Sequence, residues 1–420
     1  MGIPVSDGEA LPIATDPFAQ RLRVIFVQAV GGGGPNGRLA GGVAHAVSIA
    51  REWSGSCCQV LFVTNASDEY HKGNSSPYEV RTLPSALRHS NSPAAFMLQM
   101  LINPILQVRA LGEIVQGEEF EQPGVVLAVS PYLADVIDSI RVSRKTHYPC
   151  VIFFHHITPP ALWHYQRRGG LLRTILARLT TIIGVVCAKV FGLQLALCSS
   201  REPSLGWLRV PQPRVMIENS IGPKMSEVPS LSRSRELEVC YVGRIAPNKG
   251  IFDLLDSWTD IHRAYSEAIL HVVGQATDPL ALAKFHGLIN KYGYASSVNY
   301  HGFVPDSELS RILSLCRAIV IPSYEEGWSI AAMEGAARGA TPIAYDLPAY
   351  DWLEELVIRV KIGDRRALAS AIASVFSKEI DHSKVMDRAR AILDHYSSAS
   401  VAAREFSQLR SIVAENSRSK

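Results

Sequence analysis

Short, continuously apolar runs alternate with longer amphipathic ones along nearly the whole chain, and few folds tolerate that rhythm. "LRVIFVQ" (22–28) leads through "GGGGPNGRLAGG" into "VAHAVSIAREW", where Val43, Val47, Ala50 and Trp53 fall on one helical face. "CQVLFV" (58–63) follows, then a helical segment over 94–115, then "VVLAV" (125–129), "CVIFF" (150–154) and "LQLAL" (193–197). Such alternation builds βα units on a parallel sheet. Strands that are apolar throughout, rather than at every second residue, are covered by helices on both faces.

The rhythm lapses once. "GPKMSEVPSLSRSRE" (222–236) is polar, contains Pro and Ser, and has no period, which is the character of a linker. It then restarts with "LEVCYV" (237–242), a helix from Ile251, "AILHVV" (268–273), a helix from about Pro279, "VNYHGFV", a helix from Asp306, "AIVIP", a helix from about Ser329, and "TPIAY". A chain of 420 residues has room for two domains of roughly 200 residues each. The expectation is therefore α/β: a flexible tail over 1–20, a doubly wound domain over 21–222, a linker over 223–236 and a second doubly wound domain over 237–395. A terminal helix over 396–420, with Val401, Phe406, Leu409 and Ile412 at helical spacing, is expected to pack back on the first domain. Open sheets of this type bind ligands at the carboxyl ends of their strands, so two of them facing each other would hold a ligand in the cleft between.

Composition removes several classes. A net charge of +3 gives no case for nucleic-acid binding. The seven cysteines are irregularly spaced, form no CxxC pair and sit mostly in apolar runs, which suits buried thiols in a reducing compartment. The first residues, "MGIPVSDGEALPIATDP", lack the basic and apolar regions of a secretory signal, although "MG" with Ser6 begins a myristoylation-like pattern. Over 171–198, Arg173, Arg178 and Lys189 interrupt the apolar run, so it reads as a helix feeding a buried strand rather than as a membrane span.

Two stretches offer chemistry. In "YVGRIAPNKGIFDLL" a strand ends at Val242, Gly243 permits a sharp exit, and Arg244 and Lys249 follow before a helix. Arg supplies a fork of donors, Lys a point charge and the helix start a partial positive charge, a combination suited to a diphosphate and equally present in a solvated basic loop. In "AIVIPSYEEGWSIAAMEGAARG", Glu326 lies in the loop after a strand and Glu334 in the helix that follows. Two carboxylates so separated can accept hydrogen bonds from two sets of hydroxyls, while Gly327, Trp328, Ser329 and Ile330 bring backbone N–H groups to the helix start. Taken singly, Glu325, Glu326 and Glu334 also fit ordinary solvated acids.

Together these stretches resemble the retaining GT-B glycosyltransferases of the group usually numbered four (glycosyl transferases group 1). The family's Gly-Arg…Lys-Gly element is matched by "GRIAPNKG", and its Pro-Ser…Glu-Gly-aromatic…Glu…Gly-x-Pro element by "PSYEEGWSIAAMEGAARGATP". The resemblance is strong over 237–350 and looser over 22–222. It implies two Rossmann-like domains, a donor diphosphate held by Arg244 and Lys249, the transferred sugar at Glu326 and the donor ribose at Glu334. Backbone near Gly274, in "GQATD", is expected to meet the base. In the first half, "GPNGRLAGGVAHAVSIA" resembles the family's Gly-Gly loop and helix, which would let the backbone at Gly41 and Gly42 approach donor or acceptor. "ALCSS" and "VMIENSIGP" resemble the strand and signature before the linker, with Ser220 where the family usually has Gly. Many members carry a site His after the strand that here reads "VVLAVSPYLA"; this chain has none there, and the nearest candidates are His155 and His156 in "FFHHITPP".

The resemblance implies transfer of a hexosyl group from a UDP- or GDP-linked donor to a hydroxyl, with retention, by front-face displacement. No Asp-x-Asp triplet occurs, so no metal and no cofactor are expected. A basic, aromatic face formed by Trp163, Tyr165, Arg167, Arg168, Arg173 and Arg178 would suit either an anionic membrane surface and a lipid-linked or growing polysaccharide acceptor, or a helix packed on the first sheet. That places the protein in the cytoplasm, with peripheral contact at the inner face of the plasma membrane as one outcome. A GT-B-shaped UDP-sugar epimerase and a catalytically silent sugar-nucleotide-binding subunit also accommodate these residues.

Overall fold

The computed structural model describes residues 22–29, 41–56, 58–65, 77–85, 93–116, 122–155, 179, 182–187, 189–197, 215–221, 237–276 and 279–418. His156, the 163–178 face, the 1–20 tail and the 223–236 linker lie outside the described residues. The chain divides into two compact units. One comprises Met1–Phe153, Val186–Gln194 and Phe406–Lys420; the other comprises Phe154–Val185 and Leu195–Glu405.

In the first unit β1 (Leu22–Gln28), β2 (Cys58–Thr64), β3 (Glu79–Thr82), β4 (Gly124–Ala128) and β5 (Cys150–Phe154) run parallel in the order β3-β2-β1-β4-β5. β1 pairs with β2 from Leu22↔Cys58 to Gln28↔Thr64, so the two apolar runs are aligned along their full length. Here lie α1 (Gly41–Ser56), α2 (Pro93–Gln116) and α3 (Leu133–Thr146). Ile25, Val27, Leu61, Val63 and Val126 of the sheet pack with Leu111 and Val115 of α2 and Val142 of α3. On the other face Phe26 stacks on Trp53 of α1 at 5.8 Å and on Phe62 at 5.2 Å. Both faces of β1 are therefore buried, as its unbroken apolar sequence requires. Further along, β6 (Gln194–Leu197) and β7 (Val215–Met216) also pair in parallel.

The second unit is wound about β8 (Glu238–Val242), β9 (Ile269–Val273), β10 (Val298–Gly302), β11 (Ala318–Ile321), β12 (Thr341–Tyr345) and β13 (Ile358–Val360). These six parallel strands lie in the order β10-β9-β8-β11-β12-β13. Its helices are α4 (Ile251–Ala264), α5 (Pro279–Tyr292), α6 (Asp306–Leu315), α7 (Ile330–Ala337), α8 (Arg365–Ser377), α9 (His382–His395) and the start of α10 (Ser398–Arg418). The core is continuous from Val239 and Tyr241 through Leu254 and Trp258 of α4 to Ile372 and Phe376 of α8. Fully burying side chains of this size contributes about 1.5–3 kcal/mol each. α8 begins where the Asp364 carboxylate accepts from the Ala367 amide at 2.9 Å, which satisfies one of its open donors. From Phe406 on, α10 belongs to the first unit, where Phe406 lies 5.9 Å from Trp53.

The strand order reverses between β8 and β11. A doubly wound sheet opens a crevice at such a switch point, outside the carboxyl ends of the two strands. Among the described residues no helix is long and apolar enough to cross a membrane.

Candidate active site

The loops that leave β8 and β11 meet at this switch point in the second unit. Gly243, the first residue past β8, donates its amide to Val273 at 2.9 Å, and Ile245 donates to Gln275 at 2.9 Å. These bonds lay the β8 exit along the β9 exit. Gly274 makes that approach possible: its φ is +137°, and a Cβ there would stand 1.9 Å from the Gly243 carbonyl oxygen. Beyond it a single 3-10 turn, Pro247–Lys249, ends at Gly250, whose φ is +66°. A Cβ on Gly250 would lie 1.8 Å from the Pro322 carbonyl oxygen, so the β8 loop touches the β11 loop backbone to backbone.

Polar bonds complete the join. The Tyr324 amide donates to the Asn248 carbonyl at 3.0 Å, and Asn248 Nδ2 donates to Glu325 Oε1 at 2.7 Å. Lys249 Nζ lies 2.8 Å from Glu326 Oε1 and 3.5 Å from the Glu325 carbonyl oxygen. The two charged side chains are 19% and 16% exposed, so the pair is screened by protein yet open on one side. Arg244 is exposed, and its guanidinium makes no ion pair among the described residues. Burial pushes the Tyr241 hydroxyl far above its usual range, the Glu326 carboxylate adding to this and Arg244 opposing it. Tyr350 is pushed up in the same way, by burial first and then by Glu326. Glu326 is thus the negative centre on which these groups converge.

Residues that sequence reasoning passed over hold the loops from behind. Asp253, in the first turn of α4, is 6% exposed. It accepts hydrogen bonds from the Tyr324 hydroxyl, from Tyr345 Oη at 2.9 Å and from Arg365 Nε at 3.0 Å. Tyr324 immediately precedes Glu325 and Glu326, so this buried acid anchors the acidic loop to α4 and α8. Burial, and then the negative charge of Asp253, raise the Tyr345 hydroxyl and keep it a donor.

α7 starts abruptly. Ser329 precedes it with φ 61° and ψ 74°, a left-handed conformation that a non-glycine residue adopts at a strain of about 1–3 kcal/mol. The first amides of the helix, those of Ile330 and Ala331, have no intrahelical acceptor by geometry, and Glu334 follows on the same helix, half-buried. Trp328 is locked beside them. Its ring stacks on Trp352 at 5.0 Å with planes 1° apart, Tyr396 meets the edges of both, and its carbonyl accepts from the Trp352 indole at 3.0 Å.

The structure therefore brings together Lys249, Glu326, Gly243 and Gly274, with Gly327, Trp328, Ser329, Ile330 and Glu334 following directly on the Glu326 loop. His155 is the half-buried residue after β5, and no hydrogen bond or ion pair of Lys249 or Glu326 reaches it. Gly41 and Gly42 are the first two residues of α1. Among the described residues the single cluster with metal-ligand spacing, Glu238, His271 and Cys316, shares no member with this set.

An ammonium, a guanidinium and helix-leading amides beside two carboxylates can hold an anion on one side and hydroxyls on the other. Two parallel sheets with flanking helices define the GT-B fold. The sucrose-phosphate synthase of Thermosynechococcus elongatus superposes with a TM-score of 0.72 at 15% identity, covering 94% of this chain and 100% of that one. Anabaena Alr3699/HepE, solved in complex with UDP-glucose, superposes with a TM-score of 0.66 at 15% identity over 93% of this chain and 100% of its own. These likenesses are of fold. Residues 226–391 match the family described as "Glycosyl transferases group 1". A glycogen synthase of Mycobacterium tuberculosis is 27% identical over 165 residues, which is 38% of this chain and 38% of that protein.

Proposed function

We propose that the protein is a retaining glycosyltransferase that moves a hexosyl group from a nucleoside-diphosphate sugar to a hydroxyl acceptor. The observation that carries this reading is the Lys249–Glu326 pair at the switch point, with exposed Arg244 on the same β8 exit as Lys249. Arg244, Lys249 and the leading amides of α7 are the cations and dipoles for the diphosphate. Glu326 commits Oε1 to Lys249, and Oε2 has no partner among the described residues, which suits it to accept from a sugar hydroxyl. Glu334, further along α7, is assigned to the ribose.

In the proposed step the bond between the anomeric carbon and the β-phosphate oxygen breaks, and that oxygen leaves with the electron pair. The acceptor hydroxyl attacks from the same face and gives its proton to the departing oxygen. Charge grows on the diphosphate, where preorganised positive groups lower the barrier; removing one such donor typically reduces turnover about 10²–10³-fold. Fixed side-chain cations fill the role that a metal would otherwise take, so added Mg²⁺ or Mn²⁺ is expected to leave turnover unchanged.

Acceptor-dependent release of UDP or GDP tests the activity. Thermal shift against UDP-, GDP- and ADP-sugars identifies the donor, because a selective ligand raises the apparent Tm by mass action. Nucleotide binding without acceptor-dependent release would overturn transfer and favour the binding-subunit reading. The basic, aromatic run over 163–178 supports a lipid-linked or growing polysaccharide acceptor met at the cytoplasmic face of a membrane. Sedimentation with anionic and neutral liposomes checks that part, with binding expected only to the former and weakened by salt.

A further inference from the structure

We propose that Glu238, His271 and Cys316 form a zinc-binding site in the second unit, apart from the sugar-nucleotide residues. One ligand atom from each, a carboxylate oxygen, an imidazole nitrogen and a thiol sulfur, lies within 4.8 Å of the other two. They come from three places that the fold alone joins. Glu238 opens β8, His271 lies in the middle of β9, and Cys316 is the residue that ends α6 before β11. The Glu238 carbonyl accepts from the Arg317 amide at 2.9 Å, which holds the amino ends of β8 and β11 side by side. The cluster therefore sits toward the end of these strands opposite the switch point.

The donor set selects the ion. Thiolate, imidazole and carboxylate together suit Zn²⁺, which binds sulfur at about 2.3 Å and nitrogen or oxygen at about 2.0–2.2 Å. Tetrahedral ligands at such lengths stand ~3–4 Å apart, so the 2.8 Å contact between Glu238 and His271 would open slightly while the remaining spacings, at most 4.8 Å, would close. His271 already has the support a metal-bound imidazole requires. Its Nδ1 is 2.9 Å from His301 Nε2, and the two rings stack at 5.2 Å, leaving Nε2 facing Glu238 Oε2 at 2.8 Å. A partner on the second ring nitrogen fixes tautomer and orientation. Cys316 is fully buried, its thiol 3.2 Å from the Ile312 carbonyl and in contact with the thiol of Cys240. Glu238 is the most open of the three and gives the ion its way in.

On binding, the Cys316 thiol releases its proton to solvent and the thiolate takes the metal. His271 shifts its hydrogen to Nδ1, which then donates to His301, and His301 in turn moves its own hydrogen to Nδ1. The balance is one proton released per zinc, with no change of oxidation state. The bound ion would clamp β8 and β9 to the α6–β11 corner.

Chelator-treated full-length protein is titrated with cobalt(II), read by the thiolate-to-cobalt charge-transfer band, and the cobalt is then displaced with zinc. About one equivalent per chain is expected, with the band lost in Cys316→Ser and kept in a Cys58→Ser/Cys187→Ser variant. His301→Ala should weaken zinc binding about 10–100-fold without removing a ligand. A wild-type protein without the band, or a folded Cys316→Ser variant that keeps it, overturns the site. Should Cys316→Ser not fold, unchanged zinc affinity in His301→Ala does the same.

Discussion

The two sheets share one winding order around their switch points, yet the groups gathered there are of opposite kinds. In the first unit the residue leaving β1, Ala29, is gripped by the protein itself. Its amide donates to Asp135 Oδ1 at 2.8 Å, and its carbonyl accepts from Asn65 Nδ2 at 2.5 Å, Asn103 Nδ2 at 2.9 Å and Gln107 Nε2 at 3.4 Å. Asp135 is also held by Ser130, just past β4, at 2.6 Å. One buried acid and three amides are thus spent on a single backbone position. In the second unit the equivalent crevice carries an ion pair at its surface and an exposed arginine, and the buried acid, Asp253, is withdrawn behind the loops. A switch point lined by amides that bond inward fixes a chain path; one lined by half-open charges is built to bind something else.

The largest test of that contrast is Gly274→Ala. The new Cβ would collide with backbone rather than a yielding side chain, so a loss on the order of 4 kcal/mol is expected, read as a lowered denaturant midpoint. Arg244→Ala should separate function from folding. Exposed and in no ion pair among the described residues, it should leave Tm nearly unchanged while turnover falls about 10²–10³-fold, or ~2.7–4 kcal/mol of barrier. Full activity in that variant would remove Arg244 from the donor site.

The first unit offers a pH test. Asp138, on α3 with Asp135 and fully buried, is pushed up to about 7 by burial, against the pull of Arg141 at 2.7 Å. Between the ordinary 3.8 and that value, the folded protein keeps a proton that the unfolded chain has released, so stability falls as pH rises through this window. Asp138→Asn should flatten the decline, which for a shift of this size is on the order of 4 kcal/mol by pH 8. Stability of the two proteins that runs parallel from pH 4 to 8 would contradict the shift. Smallest is Asn103→Leu: the Ala29 carbonyl keeps other donors, so a loss of about 1 kcal/mol is expected, measured by thermal melting.

How legible all this was depended on whether a feature is periodic. The buried strands announced themselves because an apolar run covered on two sides has no polar interruptions. β3 did not: its four residues, "EVRT", are mostly exposed at a sheet edge and carry two charges. β13, with three residues, is equally short for a pattern. Lys249 and Glu326 were legible as members of two motif elements that follow strands; their ion pair was not, because it depends on the winding that brings the β8 and β11 exits together. Asp253 was not, since an acid in a helix's first turn looks like an ordinary response to the helix dipole. The Ala29 network was hidden for a further reason: its amides come from residues 65, 103 and 107, with no spacing that repeats.

The parallel indoles of Trp328 and Trp352 provide an optical consequence. Two such chromophores 5.0 Å apart couple their transitions, and the sign and size of the resulting circular-dichroism signal depend on the twist of one ring over the other. Trp328 follows the Glu326 loop and precedes the strained start of α7, so any rearrangement there would tilt one ring against the other. The protein therefore carries its own spectroscopic gauge, and donor titrations can be followed without a label.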